Sequence, residues 1–423
     1  MFLFQVIISF LIIFNFPVPV VYNSAIVSFL LASIYYFLTK KNAVSYFSLK
    51  YNVHILIGLG IVILVSTFPP ILHLTFDFGI LKAFILQFSL LIILIYCLPI
   101  LLGPLKDNTK SNFRTAAKLI VCIFVIQSII QVLGFIFPPF ADLIHFFQKE
   151  SISRRDYGGI RALALSGNPF FDLSTGYAVC FLIYTKFIID IDRTEIKIKN
   201  ILFFLILIIG TFFAGRTGFI GLGLTLIAMI LYLKPFTFKL FSFLKVLIIS
   251  LLGVQVVLLL LPSNIRELLF DKLLPFAFEF LYSYLDQGSI TTESTDILSE
   301  MYFPISVQTF FFGEGKYIGL NGSYYMYTDA GYMRHILYYG LIGQIILILY
   351  QMVFFLKPLG ICIRSSFTTQ RYNDCIFWGG LLVLLFVLHY KGEVIGFMPT
   401  VELMVLLIGV GYLKDERNNM SND

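Results

Sequence analysis

Charge is what this chain has least of. Asp, Glu, Lys and Arg make up 13% of its 423 residues, against about 25% in soluble domains. Hydrophobic residues reach 59%, with 47 Phe and a mean hydropathy of +0.91, which excludes an ordinary soluble globular class. Cysteine is also scarce. Cys97, Cys122, Cys180, Cys362 and Cys375 fall in apolar runs or in segments expected to face the cytoplasm, and their spacing offers neither a disulfide framework nor a metal site. No Walker motif, GxSxG or metal-ligand cluster occurs, so nucleotide-dependent chemistry is unsupported and no cofactor is expected. The first apolar stretch lacks a basic n-region and a small-residue cleavage site, so no cleavable signal peptide is expected. No repeat at solenoid spacing stands out.

What the chain has instead is apolar runs of about 20 residues, each long enough to cross a bilayer. They predict an all-α, polytopic membrane helix bundle, a single transmembrane domain over 1–423, with spans near 2–19, 21–38, 52–69, 80–103, 116–138, 168–189, 200–214, 217–233, 246–262, 331–356, 375–390 and 395–413. Basic residues fall in alternate loops, among them Lys40 and Lys41, Lys106 and Lys110, Lys234 and Lys239, and Lys357 and Arg364. That alternation is the positive-inside pattern of about twelve spans with both termini cytoplasmic. The net charge of +6 records these loops, so it carries no nucleic-acid signal. Two segments on the opposite side are longer than a turn, 139–167 and 263–330. The second begins with Ile265, Leu268, Leu269, Leu273 and Phe276 at helical spacing, which suits an interfacial helix that either covers the spans or gates a site.

The same topology puts Arg154, Arg155, Arg161, Arg216, Arg266 and Arg334 outside the cytoplasm, where translocated loops are usually poor in Lys and Arg. Guanidinium is permanently charged and offers a planar fork of donors suited to phosphate and carboxylate, so anion binding is the leading reading. Three segments carry it. In RALALSGNPFFDLSTG (161–176), Arg161 precedes a Gly-Asn-Pro turn containing Asn168, and backbone N–H groups at a helix start favour anions. A plain helix start with a snorkelling arginine fits these residues too. In AGRTGF (214–219), Arg216 sits in a tight turn between two spans, as a site residue or as a turn anchor. In FFGEGKYIGLNGSYYMYTDAGYMRHILYYGLIG (311–343), a Gly-rich loop ends in Asp329, Arg334 and His335, with Asp329 and His335 as candidate general bases. Tyr324, Tyr325, Tyr327 and Tyr332 read as an interfacial aromatic belt or as sugar-stacking rings. Lys391 and Glu393 suit a mutual pair or a cavity lining, and His389 a packing role.

In their order and position these three segments resemble the Wzy family of O-antigen and capsule repeat-unit polymerases, and more distantly the O-antigen ligases. Ligases carry a His-Asn-x-Tyr-Leu pattern at the start of the equivalent span. Here Asp329 stands at the His position and Tyr332 at the Tyr, which fits a polymerase better. The resemblance implies transfer of a growing glycan from undecaprenyl diphosphate to a repeat unit on the same lipid, at the periplasmic face of a bacterial inner membrane, toward lipopolysaccharide or capsule. It implies a metal-independent enzyme in which Arg216 and Arg161 hold the diphosphate, with Arg334 third and Arg154, Arg155 and Asn168 near them. Asp329 would be the proton acceptor and His335 the runner-up. The implied partners are undecaprenyl-diphosphate-linked oligosaccharides and membrane lipids, with a chain-length regulator and a flippase of the same pathway. A ligase, or a flippase or transporter of the same lipid-linked unit, is the alternative. A transporter should spread its charges through the spans and show two related halves.

Overall fold

The computed structural model describes residues 1–40, 50–103, 111–149, 163–190, 198–232, 293–319, 322–364 and 369–420, with scattered positions in 245–288 that include 263–268 and Glu279. Among these residues the protein is helical throughout, and its one β contact is an isolated bridge between Ile318 and Tyr324. In chain order the helices are α1 (Phe2–Phe14), α2 (Ser24–Thr39), α3 (Lys50–Val65), α4 (Phe68–Leu72), α5 (Gly79–Leu102), α6 (Asn112–Ile136), α7 (Pro138–Phe146), α8 (Phe171–Ile189), α9 (Ile198–Ala214) and α10 (Thr217–Leu231). They continue with α11 (Ser263–Leu268), α12 (Glu293–Glu300), α13 (Val307–Phe312), α14 (Gly331–Arg364), α15 (Thr369–Lys391) and α16 (Pro399–Met420). Six helical stretches are long and apolar enough to cross a membrane: Tyr51–Leu72, Gly79–Leu102, Asn112–Ile136, Phe171–Ile189, Gly331–Arg364 and Gln370–Lys391. Phe2–Phe14, Ser24–Thr39, Leu202–Ala214 and Thr217–Leu231 are apolar but shorter. The apolar helices make this a membrane-embedded protein. Most of the expected span 246–262 and of the expected interfacial helix lies outside the described residues.

The chain forms two compact units. The first comprises Met1–Leu30, Arg114–Ile290 and Cys362–Leu381. Within it α10 packs along α8 so closely that a β-carbon on Gly221 would lie 2.2 Å from Ala178 Cα. Small residues at such a contact let two backbones approach where lipid supplies no hydrophobic drive. Ser174, in the first turn of α8, closes the same packing: its hydroxyl donates to Gly215 O (2.7 Å) and accepts from Gly218 N (2.8 Å). At the other end of α8, buried Lys186 pairs with Asp190 (2.6 Å) and Asp374 (2.7 Å).

The second unit comprises Leu31–Phe113, Thr291–Ile361 and Leu382–Asp423. Here α5 packs against α3 and α16. The Asp415 carboxylate receives the Ser111 hydroxyl (2.6 Å) and the backbone N–H groups of Asn112 (2.7 Å) and Phe113 (3.0 Å), so an anion sits on orphan donors at a helix start. A buried carboxyl group, Glu402, receives hydrogen bonds from Gln87 and from the Tyr350 hydroxyl.

One break in a helix positions the functional cluster. Gly340 adopts φ 69°, ψ −176° inside α14, which interrupts the hydrogen-bond ladder. The carbonyls upstream of the break are taken by the preceding loop instead: Glu314 N donates to Leu337 O (2.7 Å) and Gly315 N to Tyr338 O (3.2 Å). Backbone polar groups at membrane depth must find protein partners, and this exchange satisfies both segments. A β-carbon on Gly340 would lie 2.3 Å from Phe311 O. Gly340→Ala is therefore expected to destabilise the protein by about 1–3 kcal/mol, through a strained φ and a backbone clash. Gly360→Ala in the same helix, where a β-carbon meets no described atom within 4 Å, is the control and should leave stability level or raised. Thermal melts followed by circular dichroism in detergent measure both; equal melting points for the two variants would rule out the kink as a constraint.

Candidate active site around Arg334

The second unit gathers its polar side chains at the start of α14. This helix begins at Gly331, two residues later than Asp329, so Asp329 is exposed on the approach to the helix and is not within its first turn. The approach is fixed by Thr328, whose hydroxyl donates to Met301 O (3.2 Å) and receives Ala330 N (3.3 Å). Ala330, Met333 and Leu337, spaced along one helical face, are buried against Leu298, Met301, Tyr302, Phe303, Ile305 and Tyr325. Gly331 is required at the helix start: a β-carbon there would lie 2.4 Å from His389 O and 2.5 Å from Gly392 O. That close approach brings the end of α15 and the following loop onto α14.

Arg334 is the centre of the cluster, with a side chain 5% exposed. Its Nη1 lies 3.0 Å from Glu393 Oε2, while the guanidinium carbon stands 4.1 Å from the Tyr317 ring centre and 3.9 Å from the Tyr324 ring centre. Aromatic faces stabilise a desolvated guanidinium by about 0.5–2 kcal/mol each. The Tyr317 hydroxyl also donates to Glu393 Oε2 (2.8 Å). Tyr317 is itself held by Asp77, whose Oδ2 receives Tyr317 N (2.6 Å) and Ile318 N (2.7 Å). Burial pushes the Tyr317 phenol well above its usual range, and the neighbouring Glu393 adds to this, so Tyr317 remains a donor at neutral pH.

The two carboxyl groups here are unlike. Asp329 is exposed as a residue, yet partial covering of its carboxyl raises its pKa, against the pull of Arg334 and Lys391. Glu393 is 7% exposed; burial raises its pKa, Arg334 and the Tyr317 hydrogen bond pull the other way, and Asp329 adds to the rise. Its second oxygen, Oε1, has no hydrogen-bond partner among the described residues, and neither does either nitrogen of buried His335. His335 Nε2 lies 3.6 Å from Glu393 Oε1, just beyond bonding distance. Behind His335, at 4.6 Å between ring centres, is His389, whose Nδ1 accepts the backbone N–H groups of Val394 (3.0 Å) and Ile395 (3.1 Å).

Asp329, Arg334 and His335 are thus brought together, as their spacing suggested. Glu393, read as a partner of Lys391 or a cavity lining, pairs with Arg334. His389 does more than pack, since it caps two backbone amides. Tyr324, read as belt or sugar platform, lies on the Arg334 guanidinium, and the Tyr325 hydroxyl donates to Glu314. In the first unit, Arg216 forms the N-cap position of α10 in the turn pinned by Ser174 and is paired with Glu279, both side chains partly exposed. Asn168 is exposed in the turn before α8, its side-chain oxygen receiving Phe170 N (3.4 Å). Arg154, Arg155 and Arg161 lie outside the described residues. Sequence reasoning missed Glu279 and the Tyr317 hydroxyl, and it named Glu393 without its arginine partner. The available signal was that an arginine desolvated in an apolar chain requires a countercharge.

No family model matches the sequence, and no curated protein matches it either. Chemically, the cluster offers a desolvated guanidinium on aromatic faces, one carboxylate that reaches solvent and one that does not. Removing either member of the buried pair strands the other. Arg334→Ala should cost about 3–5 kcal/mol, while Arg334→Ala combined with Glu393→Ala should recover a large part of that loss. Urea unfolding in detergent across the double-mutant cycle checks it, and additive losses would refute the coupling.

Proposed function

We propose that this protein is a polymerase of lipid-linked oligosaccharide repeat units. In this reading it spans the bacterial inner membrane about twelve times and transfers a growing glycan from undecaprenyl diphosphate to a repeat unit carried on the same lipid. The observation that carries the reading is Arg334, a buried guanidinium aligned by Tyr317 and Tyr324 beside an exposed carboxylate, Asp329, in the segment whose motifs resemble the Wzy polymerases.

Glycosyl transfer from a diphosphate makes two demands. Charge builds on the departing diphosphate as the C1–O bond breaks, and preoriented cations in a poorly solvated place stabilise it far more than water does. Arg334 takes this role here, with Arg216 and Arg161 as further diphosphate ligands and Arg154, Arg155 and Asn168 assigned to the lipid-linked glycan. The acceptor hydroxyl must also lose its proton as it attacks C1. Asp329 serves as that base: it is accessible, and its raised pKa brings it nearer the operating pH. His335 is less suited, because its side chain is 1% exposed. Guanidinium groups supply the countercharge that a metal ion supplies in other transferases, so no step calls for a metal. A flippase and a chain-length regulator are the expected companions.

Deleting the gene and complementing it tests the proposal on a gel of surface polysaccharide. Loss of the ladder with a single capped unit retained is expected. Long polymer stranded on undecaprenyl diphosphate would mean ligase, and an unchanged ladder would sink the reading. At equal expression, Arg334→Ala should lower polymer formation by about 100-fold or more, and Arg216→Ala should lower it measurably. In a reconstituted assay, wild-type activity should fall as pH drops through the raised Asp329 pKa, because the base must be deprotonated. Asp329→Asn should lose about 10²–10⁴ in rate together with that acid limb.

A further inference from the structure

Glu393 already occupies the guanidinium that the proposed mechanism needs, and the geometry around it contains a second resting place. Its Oε2 is fully engaged, with Arg334 at 3.0 Å and the Tyr317 hydroxyl at 2.8 Å. Its Oε1 is buried and, among the described residues, has no hydrogen-bond partner; it faces His335 Nε2 at 3.6 Å, which has none among them either. Two facing polar atoms without partners among the described residues, one of them on a buried carboxyl group, are costly in an apolar chain unless another state uses them. His389 cannot be the acceptor through Nδ1, which already takes two backbone N–H groups.

We infer that the Arg334–Glu393 pair is a proton-coupled anion clamp, in which Glu393 holds the guanidinium in place until the diphosphate of the lipid-linked substrate displaces it. This rests on the reading of Arg334 as a diphosphate ligand. In the empty state the carboxylate neutralises Arg334 and keeps it between Tyr317 and Tyr324. On binding, the diphosphate oxygens take over the guanidinium, which no longer compensates the buried carboxylate. Glu393 then takes one proton from solvent, and its Oε1–H donates to His335 Nε2 once the 3.6 Å separation closes by about 0.7 Å to bonding distance. The only bonds exchanged in this step are O–H bonds: the new one on Glu393 Oε1 replaces one in a hydronium ion or buffer acid, so one solvent proton is consumed for each diphosphate bound. The charged and titratable groups around Glu393 are Arg334, His335 and Tyr339 on α14, Tyr317 on the loop, Asp329 before the helix and His389 at the end of α15, with Lys391 acting on Asp329. Burial already raises the Glu393 pKa with Arg334 in place, and loss of that partner raises it further. The pair is thus poised to exchange a countercharge for a proton.

Binding of undecaprenyl diphosphate to the full chain in phosphatidylcholine nanodiscs tests this, by calorimetry in two buffers of different ionisation enthalpy. Wild type should take up about one proton per diphosphate beyond the uptake of the Glu393→Gln variant, and its affinity should rise by about fivefold to tenfold for each unit of pH lowered. Glu393→Gln keeps the hydrogen bond from Tyr317 but no longer competes for Arg334. It should bind about tenfold more tightly, with the extra proton uptake gone. Tyr317→Phe, which loosens the hold on Glu393, should bind more tightly as well. Weaker binding by Glu393→Gln, with a wild-type melting point, would overturn the clamp and assign Glu393 a plain supporting role. Equal proton uptake in wild type and Glu393→Gln would overturn it too. Neither result touches the polymerase reading, which stands or falls on the polysaccharide ladder. Absence of any undecaprenyl diphosphate binding by wild type would remove the diphosphate role of Arg334 and the clamp together.

Discussion

Taking a guanidinium out of water is tolerable only where something compensates its charge, and in the second unit that compensation organises everything near it. Arg334 sits near the start of α14, its countercharge comes from the loop after α15, and its aromatic supports come from the Gly-rich loop before α14. A single buried charge therefore ties three separate stretches of chain. Each stretch is in turn fixed by its own backbone contacts: Asp77 on the amides of Tyr317 and Ile318, His389 on those of Val394 and Ile395, and Thr328 on that of Ala330. A polar centre in an apolar protein needs such rigid scaffolding, because a misplaced partner leaves a stranded charge.

The helices were largely legible from apolar runs. The expected span 80–103 is Gly79–Leu102, that at 217–233 falls on the shorter apolar helix Thr217–Leu231, and that at 331–356 begins at Gly331 but continues to Arg364. The overrun at Arg364 has a simple cause, since a polar end lets a helix extend past the apolar stretch that defines a span. The expected 2–19 span stops as a helix at Phe14, where Asn15 turns left-handed at φ 35° ahead of the Pro17–Pro19 pair. Local signals such as turn residues and hydropathy decide these features.

Pairings were much less legible. That Asp329, Arg334 and His335 share a neighbourhood follows from their spacing, but nothing local to Arg334 says that its partner is Glu393, or that Arg216 meets Glu279. Those contacts come from segments far apart in the chain and depend on how closely helices approach. Gly331 and Gly221 set such approaches, and their importance appears only once the atoms they would meet are in place. The same holds for Tyr324: an aromatic beside a membrane segment reads as a belt residue until an arginine is found on its face.

The break at Gly340 has a consequence for how this region can change over evolutionary time. Because Glu314 and Gly315 are bonded to carbonyls of α14 while Asp329 leads directly into the same helix, the intervening stretch is a loop with both ends held. The Ile318–Tyr324 bridge closes it again further out. In such a loop each doubling of length adds only about 0.6 kcal/mol of closure entropy. A change of length between the two bridge residues therefore costs little, while the charged centre at the base of the loop keeps its geometry.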